Sequence, residues 1–196
     1  MNIYNIFLEN LINDRSYSYT CEVGCLSGKM SNRILLKSSY IQTHFMVDPW
    51  TVYTTIGQEN SKDKRLLAYD QDYWDDIYKR CFNSMKKHGD RYKIIRATSA
   101  EGSKQVNQIL DCVIVDADHT RKPFLTDIIT WLPKIKDNGL WINHDYSSGW
   151  QDVVNSCNDV FTKDHINRIN NGYIYVELTK ELKIEFINRA IETLNN

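Results

Sequence analysis

Tyr19-Thr20-Cys21-Glu22-Val23-Gly24-Cys25-Leu26-Ser27-Gly28 passes from a β-prone run straight into a glycine turn. Lys29 to Lys37 then place Met30, Ile34 and Leu35 on one helical face. The order is strand, turn, helix, and it decides the fold. Glycines at such a junction let the backbone pass close beneath a ligand and aim the free amides of the helix start at it. A dinucleotide fingerprint would read G-x-G-x-x-G, but residue 26 is leucine and residue 29 is lysine, so the pyrophosphate pattern is not met.

The same alternation continues outward. His44-Phe45-Met46-Val47 ends at Asp48 and is stopped by Pro49, as a buried parallel strand is when its loop emerges at the carboxyl end. Asp72 to His88 carries a helical stripe of Trp74, Ile77, Tyr78, Cys81 and Met85. Strands follow at Tyr92 to Arg96, Cys112 to Val115 and Leu140 to Asn143. A helix is expected from Lys122 to Ile135, with Asn138-Gly139 as its stop. Ile166 to Ile169 and Tyr173 to Leu178 flank Asn170-Asn171-Gly172, which predicts an antiparallel hairpin at one sheet edge. The expected fold class is α/β, a doubly wound Rossmann-like sheet, mostly parallel, with that hairpin near the C-terminus.

An amphipathic helix over 2–13 carries Ile3, Ile6, Phe7, Leu11 and Ile12, and a last helix over 180–194 carries Ile184, Ile187, Ile191 and Leu194. The polar segment 51–71 is long enough to serve as a lid, with Tyr53, Tyr69, Tyr73 and Trp74 in or beside it. A chain of 196 residues with 42% hydrophobic content suits one domain spanning 1–196. No apolar run approaches the roughly 18 residues of a membrane span, and no basic-then-apolar leader opens the chain. A net charge of −1, with basic residues scattered among carboxylates, disfavours nucleic acid as a partner. Five cysteines without a C-x-x-C pair read as reduced, mostly buried thiols, which predicts a cytoplasmic protein.

Glu22-Val23-Gly24-Cys25-Leu26-Ser27-Gly28 resembles the first motif of class I S-adenosylmethionine-dependent methyltransferases, an acidic residue followed by G-x-x-x-G. Asp48 closes the next strand, where a carboxylate can accept hydrogen bonds from both ribose hydroxyls. Asp48-Pro49-Trp50 is similar to the D-P-W of one subset of that superfamily, and Ser99-Ala100-Glu101 sits where those enzymes meet the adenine and ribose edge. The resemblance implies a cofactor site of Glu22, Gly24, Cys25, Gly28, Asp48, Trp50, Ser99, Ala100, Glu101 and Asp116. For Trp50, simple packing is the stronger reading of the residue alone.

Two further strands end in polar clusters, Asp116-Ala117-Asp118-His119 and Asn143-His144-Asp145-Tyr146. In an open parallel sheet such ends face one crevice. Their oxygens and nitrogens suit Mg²⁺, Mn²⁺ or Ca²⁺. D-x-D-H followed by G-L-x-x-x-H-D-Y resembles the methyltransferases that include the macrocin and novobiocin sugar O-methyltransferases, over roughly residues 20–160. The resemblance implies that Asp116 and Asp145 bind metal and that Asp118 is the general base. His144 stands where those enzymes carry an acidic metal ligand, as a softer nitrogen donor or as a metal-free base in its own right. Asp118 and Asp145 also suit loop caps, and His119 suits a helix cap or a solvated loop residue as well as a chemical role.

The expected function is transfer of a methyl group from S-adenosylmethionine to the hydroxyl of a small molecule or sugar, with metal assistance. A nicotinamide-dependent oxidoreductase would share the sheet and Asp48 but would want the third glycine. A non-catalytic nucleotide-binding protein would keep the glycines and lose the polar crevice. The apolar stripe of the last helix would serve a homodimer as readily as a core.

Overall fold

Runs rich in β-branched and aromatic residues pair into one sheet, and a computed structural model describes residues 3–52, 68–170 and 172–195. The strands are β1 (Tyr19–Val23), β2 (Thr43–Asp48), β3 (Tyr92–Arg96), β4 (Leu110–Val115), β5 (Ile135–Asn143), β6 (Asn167–Asn170) and β7 (Tyr173–Leu178). Their spatial order is β3-β2-β1-β4-β5-β7-β6, with β1 to β5 parallel and β7 antiparallel to both β5 and β6. The helices are α1 (Ile3–Asp14), α2 (Lys29–Lys37), α3 (Gln71–Met85), α4 (Ser99–Gln105), α5 (Arg121–Trp131), α6 (Gln151–Phe161) and α7 (Lys180–Asn195). The doubly wound α/β sheet with a C-terminal antiparallel hairpin is therefore present.

The period-two alternation of side chains sorts the sheet into two cores. Val113, Val115, Trp141, Ile174 and Val176 face α5, α6 and α7, where Phe124, Ile128, Trp131, Cys157, Phe161 and Phe186 close over them. Cys112, Ile114, Met46, Leu140 and Ile142 face the other way, toward Ile34, Leu35, Trp74, Ile77 and Cys81 of α2 and α3. All five cysteines are buried and unpaired. Among the described residues no helix is long and apolar enough to cross a membrane.

Several sequence expectations shift. The helix expected over 122–135 stops at Trp131, passes through a 3₁₀ turn at Leu132–Lys134 and yields to β5 at Ile135. Leu110 pairs with Ile135 but Cys112 with Leu140, so residues 136–139 bulge away from β4, while Gly139 still pairs with Leu178 of β7, and Asn138 takes φ 62° within the bulge. Asn138-Gly139 is a bulge in a strand, not a helix stop. On α7 the buried residues are Phe186 and Ala190, while Ile184 and Ile191 of the expected stripe are 56% and 41% exposed. On α1 Leu8 and Ile12 are buried and Phe7 is exposed, whereas the side chains of Ile3 and Ile6 lie outside the described residues. Most of the segment expected as a lid, residues 53–67 with Tyr53, also lies outside them, as does Asn171. Two helices, α4 and α6, were not anticipated.

β1 leads to the right-hand and left-hand halves of the sheet through β2 on one side and β4 on the other, so the chain reverses direction between β1 and β4. That divergence opens the crevice in which doubly wound sheets bind ligands. The sheet ladder runs on past the strand ends there: Gly24 N–H donates to Val47 O at 2.8 Å, Asp116 N–H to Val23 O at 2.8 Å, and His144 N–H to Val115 O at 3.1 Å. Gly24 has φ +86°, and a Cβ on it would stand 2.1 Å from the carbonyl oxygen of Asp116. The obstacle is backbone on the neighbouring strand, which cannot step aside. Gly24→Ala should destabilise the protein by about 3 kcal/mol or more, combining backbone strain with overpacking. For a chain of this size that is a fall in Tm of about 6–12 °C by differential scanning calorimetry; an unchanged Tm would show that the β1 and β4 ends separate freely.

Candidate active site

A cavity of about 1080 Å³ opens at the carboxyl ends of β1, β2, β4 and β5. Ordinary small-molecule sites hold about 300–1,000 Å³, so this one has room for a cofactor and an acceptor together. It is lined by Glu22, Gly24, Cys25, Asp48, Ser99, Ala100, Asp116, Asp118 and Asp145 of the residues singled out in the sequence. Gly28, Trp50, Glu101 and His144 are not among its lining residues.

Asp48 organises the floor. Its Oδ2 accepts hydrogen bonds from the amides of Cys25 and Leu26, both at 2.9 Å, and its Oδ1 accepts one from Trp50 N–H at 2.8 Å. The carboxylate is thus the acceptor that shapes the glycine turn and the Asp48-Pro49-Trp50 corner. Burial pushes its pKa up, against the pull of the three amides. Trp50, expected at the cofactor, is instead fully buried beneath the turn, where its Nε1–H donates to Leu26 O at 2.7 Å and its ring meets Tyr78 edge-on. Leu26 and Trp50 both have positive φ, 48° and 40°, so this corner holds backbone strain that the Asp48 contacts maintain. Gly28 caps α2 with φ 71° and sits against Cys81, supporting the turn from behind. Glu101 is exposed and takes the Thr98 hydroxyl at 2.8 Å. Glu22, 2% exposed, accepts from the Ser31 hydroxyl in a buried chain that runs on through His44 Nε2 at 2.9 Å to Thr20. Burial raises the Glu22 pKa.

On the opposite wall two strands deliver a compact charged cluster. His144 Nδ1 lies 3.0 Å from Asp116 Oδ1 and 2.9 Å from Asp145 Oδ2. His119 Nε2 lies 2.8 Å from the same Asp145 oxygen and 3.6 Å from Asp116 Oδ1, with its ring stacked on Trp150 at 4.1 Å. The φ of 63° at Asp145 turns its carboxylate back into this group. Burial opposes charge on both imidazoles, but hydrogen bonds and charges from Asp116 and Asp145 outweigh it, raising His119 to about 9 and His144 to about 10. Asp145 is also desolvated, yet the two rings hold its pKa well below the usual carboxylate range. Single donor atoms of Asp116, His144 and Asp145 all lie within 4.8 Å of one another, close enough to share one metal ion. Asp118 stands beside this group on the cavity wall, its Oδ1 accepting both N–H and O–H of Thr120 at 2.8 and 2.7 Å. That contact begins the turn into α5, so the loop-cap role and a place at the cavity coexist in one residue.

Among the cavity residues that sequence reasoning missed, two carry chemistry. Tyr173 lines the cavity at the start of β7, beside the His144 ring at 4.3 Å. Asp127 lines it from α5 and is 4% exposed. The signal for Asp127 was legible: it lies on the apolar face of its helix, among Phe124, Leu125, Ile128 and Trp131, where a carboxylate is out of place unless it has polar work.

A sequence model described as a methyltransferase domain matches residues 21–146. The chain belongs to this methyltransferase family. The matched span holds the glycine turn, Asp48, Ser99 and the Asp116 to Asp145 cluster, and the methyltransferase is of the S-adenosylmethionine-dependent, class I type read from those motifs. No protein of curated function matches the sequence. Solved structures share the fold. The O-methyltransferase NovP aligns with TM-score 0.64 at 14% identity, covering 90% of this chain and 78% of its own. The calicheamicin methyltransferase CalS11 aligns with TM-score 0.66 at 10% identity, over 89% and 76%. A methyltransferase of Podospora anserina, PaMTH1, solved with S-adenosylhomocysteine, aligns with TM-score 0.66 at 14% identity, over 92% and 80%.

Asp127 provides a pH signature for this wall. Burial lifts its pKa to about 7, against the hydrogen bond from Ser99. Its folded pKa exceeds the unfolded value, so the folded state holds the proton longer and stability falls as pH rises from about 4 to about 7. Asp127→Asn should flatten that part of the Tm-against-pH curve; an unaltered slope between those values would show that Asp127 ionises as an ordinary surface carboxyl.

Proposed function

We propose that this methyltransferase transfers the methyl group of S-adenosylmethionine to a hydroxyl oxygen of a small molecule or sugar, with a divalent cation at Asp116, His144 and Asp145 and with Asp118 as general base. The observation that carries the reading is the convergence of those donor atoms within 4.8 Å on the wall of the cavity that the glycine turn and Asp48 floor.

The donor set fits a cation. Two carboxylates and the imidazoles between them already bring opposite charges to one point, and a divalent ion replacing two imidazolium protons would leave the charge of the cluster unchanged. Two oxygens and one nitrogen suit Mn²⁺ better than Mg²⁺, which prefers an all-oxygen shell. Such an ion would supply Lewis acidity toward an acceptor hydroxyl.

S-adenosylmethionine supplies an electrophilic methyl on a sulfonium, and the remaining work is binding, alignment and proton removal. Gly24 and the strained turn after it bring backbone close to the ligand without side-chain obstruction. The amides of Cys25 and Leu26 are fixed by Asp48, whose carboxylate also stands at the edge where ribose hydroxyls would lie. Asp118, held by Thr120 on the cavity wall, would accept the acceptor's proton. His144 is poorly suited to that task, because Asp116 and Asp145 at its Nδ1 raise its pKa to about 10 and hold the imidazole protonated. Tyr173 and Met30 give the cavity apolar area against which an acceptor ring can pack. The likeness to NovP, an O-methyltransferase, and to CalS11, a calicheamicin methyltransferase, accords with a hydroxyl-bearing natural product as acceptor.

Mass-spectrometric detection of methylated products from metabolite and glycan pools tests the acceptor class. With an acceptor in hand, Asp118→Asn should cut turnover by about 10² to 10⁴ while leaving S-adenosylhomocysteine affinity intact. Near-normal turnover in that variant, with His144→Gln inactive, would move the base to His144. Excess chelator should abolish turnover, and Mn²⁺ should restore it at lower concentration than Mg²⁺. Full turnover in chelator would leave the cluster a purely electrostatic role. Asp48→Ala should lower both Tm and cofactor affinity, the latter by about 1.5–3 kcal/mol in calorimetry; an effect on Tm alone would confine Asp48 to shaping the turn.

A further inference from the structure

One end of the cavity is formed by Thr98, Ser99 and Ala100 at the β3–α4 turn and by Lys122, Thr126 and Asp127 across from them on α5. Ser99 is, with Ala100, one of the residues of this end that the sequence pointed to, yet its hydroxyl is already committed. It donates its proton to Asp127 Oδ1 and accepts the indole N–H of Trp131 at 2.8 Å. A hydroxyl has one proton to give, so Ser99 cannot donate to a ligand without releasing Asp127.

Asp127 is in the opposite condition. Its side chain is 4% exposed, that exposure is to the cavity it lines, and the Ser99 hydroxyl is the sole side-chain or backbone donor recorded for it among the described residues. A carboxylate offers about four acceptor positions, and a buried one served by a single neutral donor is costly to keep charged. Its charged neighbour is Asp118, which has the same sign, and no cation pairs with it among the described residues. The helix around it is otherwise apolar, with Phe124, Leu125, Ile128 and Trp131 buried. A ligand group that donates a hydrogen bond and carries no negative charge is what this position lacks.

We propose that Asp127 accepts a hydrogen bond from the exocyclic amine of the cofactor's adenine, and that it selects a 6-amino over a 6-oxo purine at this end of the cavity. The inference rests on the reading that the cavity holds S-adenosylmethionine with its adenine at Ser99 and Ala100. Ser99 and Trp131 then act as positioning residues: the indole fixes the hydroxyl, and the hydroxyl fixes one carboxylate oxygen so that the other faces the base. A 6-oxo purine brings a carbonyl to the same place, opposing acceptor to acceptor. Selection should therefore exceed what loss of one neutral hydrogen bond would give.

The experiment compares S-adenosylhomocysteine with S-inosylhomocysteine by calorimetry on the full chain, wild type and Asp127→Asn. In the variant the side-chain carbonyl can still accept from Ser99, which turns the amide N–H₂ toward the ligand as a donor. The wild type should prefer the adenosyl compound by about 10- to 100-fold. Asp127→Asn should lose most of that preference, by weaker adenosyl binding and equal or tighter inosyl binding. A merely structural Asp127 would weaken both ligands together and leave their ratio unaltered, which overturns the assignment. Equal affinity of the wild type for both compounds overturns it without any variant. Should Asp127→Asn fail to fold by thermal unfolding, Asp127→Ala carries the same ratio test. Binding of neither compound by folded wild-type protein would overturn the cofactor reading itself, whereas tight adenosyl binding with an unmoved ratio would overturn only the role given to Asp127.

Discussion

The structure turns on how closely two parallel strands approach at their carboxyl ends. Gly24 lies under the Asp116 carbonyl with no room for a Cβ, and the Asp116 amide bonds back to Val23 at 2.8 Å. This single contact ties the end of β1 to the end of β4, where the chain's direction through the sheet reverses. It forces the loops after the two strands apart, one toward α2 and one toward α5, and the space between them is the cavity. It also sets the distance between the cofactor floor and the charged wall, because Gly24 belongs to the first and Asp116 to the second. A glycine read from sequence as a concession to the ligand is first a concession to the neighbouring strand.

Around that junction the protein concentrates groups that are expensive elsewhere. Glu22, Asp48 and Asp127 are all buried carboxylates on the cavity wall, and each has its pKa raised by desolvation. Each is held by a different arrangement: the Ser31 hydroxyl backed by the His44 imidazole for Glu22, three backbone amides for Asp48, and the Ser99 hydroxyl backed by the Trp131 indole for Asp127. Leu26, Trp50 and Asp145 add left-handed backbone at the same rim. Strain and desolvation of this kind persist only where the surrounding fold over-determines them. The two apolar cores, packed on both faces of the sheet, supply that support.

The fold was legible because its signals are local. Strand, glycine and helix follow one another in the right order, and the unbroken apolar runs of β4 and of the second half of β5 mark strands buried on both faces. What was not legible depended on distant neighbours. The bulge at 136–139 arises because β5 must pair with β4 on one side and β7 on the other with unequal spacing, and nothing in Asn138-Gly139 distinguishes a bulge from a helix stop. Phe186 rather than Ile184 faces inward on α7 because Phe161 and His165 wait to receive its ring. Either apolar stripe was compatible with the helix alone. Helix α6 was overlooked although Val153, Cys157, Val160 and Phe161 recur at helical spacing.

The site shows the same division. Asp116, His144 and Asp145 were readable as a group, since strand ends in a parallel sheet face one crevice, and their donor atoms lie within 4.8 Å of one another. His119 was ambiguous in sequence because its place depends on Trp150, some 30 positions away, which stacks its ring toward Asp145. Trp50 was drawn to the ligand by its motif, whereas the Leu26 carbonyl draws its indole under the floor. Asp127 was legible as an interruption of the apolar face of its helix, but its role was not, because only the Ser99 hydroxyl from another strand's turn explains why a carboxylate is tolerated there. A residue that breaks a local pattern without local compensation points to a partner elsewhere in the fold, and when the partner found is itself insufficient, it points further, to a ligand.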